Sequence, residues 1–198
     1  DGSLPPLQAS DVGRLTIVGS DTENLIDLTG VTPASFTFVD IGTGNPLQIT
    51  VDAVNGDDTI IASDGFDDTL DGGDGNDVIT ISSGLGNLTI FGEDGNDTIT
   101  GGAGNDTIDS HDGDDMVDAG AGDDSVNGGN GADSIVGNLG NDTVLAGNGT
   151  DTVDGSVGND SIRGEDGFDS IIGGDGDDTL HGGLQNDTID GGFGDDLI

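Results

Sequence analysis

The sequence contains no cysteine and no lysine, and its only basic side chains besides two histidines are Arg14 and Arg163. Without cysteine, no disulfide framework can hold the chain. Without a basic surface there is nothing to neutralise phosphates, which excludes nucleic acid as a partner. An anionic membrane surface is excluded for the same reason. No apolar run approaches the roughly eighteen residues of a membrane-spanning helix, so no membrane insertion is expected. The sequence also lacks His-Glu-x-x-His and Gly-x-Ser-x-Gly, a cysteine nucleophile and a phosphate-loop lysine, and the expectation is that the chain is not an enzyme. It begins Asp1-Gly-Ser-Leu, with neither an initiator methionine nor a signal peptide, and both ends read as cut from a longer protein.

What is abundant is acid and glycine. There are 41 aspartates and glutamates, 40 glycines and a formal net charge of -39. With 30% hydrophobic residues, such a composition resembles a disordered polyanion. Yet the apolar residues recur too regularly for coil. The two observations agree if bound cations supply the missing stability, so cations are the expected partners.

The regularity is a period of nine. From Gly92 onward GEDGNDTIT is followed by GGAGNDTID, SHDGDDMVD, AGAGDDSVN and further units, without a gap, to GGFGDDLI. The sixth place holds Asp97, Asp106, Asp115, Asp124, Asp133, Asp142, Asp151, Asp160, Asp169, Asp178, Asp187 and Asp196. The eighth is always Ile, Val or Leu, and the fourth is glycine everywhere except Gln185. Residues 53–91 are imperfect repeats in which Asp58, Asp68 and Asp77 take the aspartate place. Ala62 counts as one extra residue, Ile81-Ser82 as two more, and Leu88 replaces an aspartate, which should weaken or break the file of cations there. Residues 1–52 carry alternating, β-branched runs at Leu15–Val18, Leu25–Leu28, Phe36–Val39 and Leu47–Val51. They read as a degenerate β lead-in or an N-terminal cap, with a small separate β-unit as the alternative. The organisation expected is therefore 1–52 lead-in, 53–91 imperfect repeats and 92–198 regular array.

This density of glycine, with one aliphatic residue per nine, excludes helix and gives an all-β fold. Six residues rich in Gly, Asp and Asn turn easily. The next three, such as Thr98-Ile99-Thr100, form a minimal strand whose middle side chain points inward. Two units then complete one coil, coils stack at about 4.8 Å in two parallel sheets, and repeat i lies over repeat i+2. The aspartates fall into two files, Asp97 to Asp187 along one edge and Asp106 to Asp196 along the other. Stacked carboxylates about 5 Å apart repel unless a cation lies between them. Oxygen-only ligands, partly from a flexible main chain near Gly95, Gly104, Gly113, Gly122, Gly131, Gly140, Gly149, Gly158, Gly167, Gly176 and Gly194, describe Ca²⁺ better than Zn²⁺, Cu²⁺ or Mg²⁺. The two files offer up to about ten Ca²⁺ sites in 92–198. With free Ca²⁺ at about ten times the dissociation constant, each site adds roughly 1.4 kcal/mol to stability.

GGDGNDVIT (72–80), GGAGNDTID (101–109) and GGDGDDTLH (173–181) resemble the RTX (repeats-in-toxin) family, whose nonapeptide is G-G-x-G-x-D-x-U-x with U a large aliphatic. The resemblance covers about two-thirds of the chain. It implies a right-handed parallel β-roll solenoid with two nonapeptides per coil, and Ca²⁺ held by turn carbonyls and the sixth-place aspartates of repeats i and i+2. It also implies type I secretion, with folding after exit. Gln185 puts the geometry near Asp187 in question, and Glu93, His111, Asn138, Ser156 and Glu165 depart from the second glycine.

Other residues read more plainly. His111 and His181 are expected as exposed side chains and not ligands, Phe168 and Phe193 as edge packing, and Arg163 as a lone surface charge. Asn-x-Thr/Ser strings arise from the repeat itself, so glycosylation is not inferred, and the seventh-place Thr/Ser ladder follows from strand preference without an ice-binding role. The function expected is a calcium-binding structural module of a secreted or cell-surface protein, such as a surface layer, adhesin stalk or extracellular filament, with possible self-association. The alternative is a C-terminal array assisting secretion and folding of a toxin, protease or lipase whose catalytic part lies elsewhere.

Overall fold

A repeat that supplies one aliphatic side chain per nine residues can bury it only against another copy of itself, and that requirement sets the architecture. The computed structural model describes residues 14–20, 25–28, 48–62, 67–81 and 85–198. These contain eighteen strands, numbered in chain order, and no helix. The odd strands are β1 (Arg14–Ser20), β3 (Gln48–Val54), β5 (Thr69–Asp71), β7 (Thr89–Phe91), β9 (Thr107–Asp109), β11 (Ser125–Asn130), β13 (Thr143–Gly149), β15 (Ser161–Gly167) and β17 (Thr179–Leu184). The even strands are β2 (Leu25–Leu28), β4 (Thr59–Ala62), β6 (Val78–Ile81), β8 (Thr98–Thr100), β10 (Met116–Ala121), β12 (Ser134–Leu139), β14 (Thr152–Val157), β16 (Ser170–Asp175) and β18 (Thr188–Phe193). Each set forms one sheet in which every neighbour is the strand two places along, and all pairs are parallel. The chain is thus a parallel β-solenoid that changes sheet at every repeat.

Register confirms the coil length. Ser125 pairs with Thr107 on one side and Thr143 on the other, a step of eighteen residues. Earlier steps are longer, with Thr59 opposite Val78 and Thr69 opposite Thr89. The apolar runs Leu15–Val18, Leu25–Leu28 and Leu47–Val51 overlap β1, β2 and β3, and these strands continue the same two sheets. Phe36–Val39 lies outside the described residues.

The core is the file of eighth-place side chains, including Ile99, Ile108, Ile135, Ile162 and Ile171, each at most 1% exposed. Two expectations change. The three-residue strand holds for β8 and β9, but from β10 onward the strands run six or seven residues. Alternation continues past the eighth place, so the first place also points inward, as at Ala119 and Ala146. Small residues there let the two sheets approach. Nor are Ala62 and Ile81 themselves surplus. They pair with each other and are buried, taking that same inward first place.

Candidate metal centre

Each turn begins with a backbone kink. The second place is left-handed whether or not it is glycine: Glu93, His111, Asn138, Ser156 and Glu165 have φ between 70° and 75°. These five departures therefore keep the turn's path. The fourth place is stricter. Gly113 has φ 152°, and a Cβ there would overlap the carbonyl oxygen of Gly95 one coil earlier; Gly131 stands in the same relation to Gly113. The fourth-place carbonyls therefore form a column aimed into the gap between successive coils. Gln185 adopts φ 77° in place of the larger values of these glycines, so the last turn of its edge is shaped differently.

The sixth-place aspartates line the two edges. One edge carries Asp58, Asp77, Asp97, Asp115, Asp133, Asp151, Asp169 and Asp187, and the other Asp68, Asp106, Asp124, Asp142, Asp160, Asp178 and Asp196. Their contact is not carboxylate against carboxylate. From Asp77 on one edge and Asp124 on the other, Oδ1 accepts the backbone N–H of the aspartate one coil earlier: Asp97 N–H to Asp115 at 2.8 Å, Asp106 N–H to Asp124 at 2.7 Å, Asp142 N–H to Asp160 at 2.8 Å. At Leu88 the carboxylate is gone and the side chain joins the core, 2% exposed, yet its N–H still donates to Asp106 at 2.8 Å. Both carboxylate oxygens are lost there, while the backbone link to Asp106 remains.

The second carboxylate oxygen is the informative atom. In Asp77, Asp97, Asp124, Asp133, Asp142, Asp151, Asp160, Asp169 and Asp178 the Oδ2 is buried and accepts no hydrogen bond. These residues are at most 2% exposed. A buried oxygen left without a partner costs on the order of 1–3 kcal/mol, more when charged. The electrostatics register this. Burial, reinforced by neighbouring aspartates and opposed by the backbone N–H, pushes Asp97 and Asp124 up to about 7, and Asp77, Asp133, Asp151 and Asp160 up to about 6. Burial also raises Asp115, Asp142 and Asp169. Asp187 and Asp196, in the last two turns, are half-exposed, and they still accept the N–H groups of Asp169 and Asp178.

Two species can satisfy such an oxygen, a proton or a cation. The donor set is hard oxygen throughout, which suits Ca²⁺. Among the described residues no three Asp, Glu or His side chains are arranged to hold a metal ion by themselves. An ion on either edge would find about one carboxylate oxygen per turn, and the fourth-place carbonyls would be further oxygen donors beside it.

One set of residues escaped the sequence reasoning. The fifth place is Asn or Asp in every regular unit except at Ala132, Thr150 and Phe168. Its Oδ1 accepts the N–H of the fifth-place residue one coil later: Asn105 accepts from Asp123 at 3.0 Å, Asp123 from Asn141 at 2.8 Å, Asn141 from Asn159 at 2.9 Å. The signal was the near-constant Asn/Asp before each aspartate. Other expectations also shift. Arg163 is not alone: its Nε lies 2.7 Å from Glu165 on the surface. Phe168 and Phe193 are 60% and 81% exposed, so they do not pack on their edges. His111 sits on the outer face of the odd-strand sheet, 3.5 Å from Asp109 and 3.8 Å from Glu93.

The family model for the RTX calcium-binding nonapeptide repeat, in four copies, matches residues 52–87, 83–117, 91–126, 109–144, 127–162, 145–171 and 163–198. No curated protein matches the chain.

Proposed function

The chain belongs to the family of RTX calcium-binding nonapeptide repeats, and from that premise we propose that it is a calcium-hardened structural module of a secreted or cell-surface protein, folding on Ca²⁺ after export. A surface layer, an adhesin stalk or an extracellular filament would use such a rod. Calcium binding is the property of the family; the ligand assignment is ours. The ions are held by Asp58, Asp68, Asp77 and the sixth-place aspartates from Asp97 to Asp196, with carbonyls near the fourth-place glycines, and residues 92–198 take up to about ten.

The observation that supports this reading best is the row of buried, unpartnered Oδ2 atoms. A chain with a net charge of -39 that sequesters carboxylates in its turns is stable only if something positive enters with them. Extracellular fluid, richer in calcium than the cytoplasm, supplies that partner at the place where folding is wanted. Self-association belongs to the same reading. Light scattering and electron microscopy of the purified chain test it: calcium-dependent filaments or sheets are expected, and a strictly monomeric rod removes the assembly role.

A further inference from the structure

The fifth-place ladder is not equal on the two edges. On the edge of Asp106 it is unbroken, since Asn87, Asn105, Asp123, Asn141, Asn159 and Asp177 each accept the N–H of the next coil, ending on Asp195. On the edge of Asp97 it runs from Asp57 through Asn76, Asn96 and Asp114 to the N–H of Ala132 and stops. Ala132 and Phe168 have no side-chain oxygen to offer the N–H groups of Thr150 and Asn186 above them. Thr150, between them, has a hydroxyl one atom shorter in reach than an Asn oxygen, and among the described residues no side chain takes the N–H of Phe168.

This N–H group shares a rigid peptide plane with the carbonyl of the fourth place. The two point in opposite directions. A ladder that pulls the fifth-place N–H toward the preceding coil thereby aims the fourth-place carbonyl into the gap with the following one, where the carbonyl of Gly95 indeed faces Gly113. Where the ladder is missing, no side chain holds that plane, and it is kept only by backbone pairing such as that of Gly149 with Gly167. The affected turns end at Asp151, Asp169 and Asp187, and the last of them also carries Gln185 in place of the fourth glycine.

Resting on the calcium reading above, we propose that the two edges bind Ca²⁺ with unequal strength: the ladder of fifth-place Asn and Asp side chains positions the turn carbonyls, and its loss at Ala132, Thr150 and Phe168 creates a weaker class of sites at Asp151, Asp169 and Asp187. A hydrogen bond's net worth corresponds to about fivefold in affinity at each such site.

Calcium titration of the full chain by calorimetry, with circular dichroism alongside to verify folding, tests this. Ala132, Thr150 and Phe168 are all exposed, so Ala132→Asn, Thr150→Asn and Phe168→Asn rebuild the ladder without touching the core. The unaltered chain should show two classes of sites, and the triple variant should strengthen the weaker class about fivefold per site. The converse variant, Asn141→Ala with Asn159→Ala, should weaken sites on the other edge. A single class of sites in the unaltered chain, or two classes that neither variant alters, overturns the proposal while leaving calcium binding in place. No calcium uptake at all would remove the calcium reading and this proposal with it.

Discussion

At the scale of single residues, the aspartates of the sixth place do two jobs with two oxygens. In Asp142, Oδ1 splices one coil to the next through a backbone N–H, and Oδ2 is buried without a hydrogen bond, the atom that the proposed function gives to calcium. Asp142 shows how to separate them. Asp142→Asn keeps an oxygen for the N–H of Asp124 and removes the charge, whereas Asp142→Ala removes both. Both variants should lower the calorimetric count of bound Ca²⁺ by loosening the gaps toward Asp124 and Asp160, and the alanine variant should lose about 1–3 kcal/mol more stability. An unchanged ion count in both would show that Asp142 is not a ligand. The raised carboxyl pKa values add a pH dependence. The calcium-free coil binds protons more tightly than the unfolded chain, whose aspartates titrate near 3.8, so this stabilisation is complete below about pH 4 and is lost as pH rises through 6–7. In chelator, β signal by circular dichroism should therefore fall between pH 5 and pH 8. The same protons compete with calcium, so affinity should weaken as pH is lowered through that window.

At the scale of the strand and turn, much was legible because the period of nine ties each residue type to one place. Ile135 at the eighth place and Asp133 at the sixth are buried as the alternation requires. What stayed hidden depended on contacts between coils. Nothing local in Ser125-Val126-Asn127 says that the strand continues through Gly128 and Gly129 to Asn130, because pairing with the next coil extends it. Likewise the two roles of Oδ1 and Oδ2 appear only when the coil above is in place, and so does the capture of Arg163 by Glu165 two residues on, across a strand that proved longer than three residues. The fourth-place glycines give a prediction at this scale. Gly131→Ala sets a Cβ against the Gly113 carbonyl and should destabilise the calcium-bound chain by about 1–3 kcal/mol, read as a lowered denaturant midpoint. Gln185→Gly, which restores the repeat at the one irregular fourth place, should raise that midpoint or leave it unchanged. Stability unaffected by Gly131→Ala would contradict the tight carbonyl column.

At the scale of the whole molecule, the fold is a thin aliphatic file between two sheets, with carboxylates sealed into both edges. One large core side chain per nine residues, with a small one or none at the first place, cannot outweigh the conformational entropy of ordering so glycine-rich an array. Cations bound only by the folded coil shift that balance by mass action. Circular dichroism of the purified chain near neutral pH, first in chelator and then with Ca²⁺ added back, measures this directly. The account predicts a coil spectrum in chelator and a return of β signal that saturates with calcium. Strand content that is the same in chelator and in calcium would contradict it.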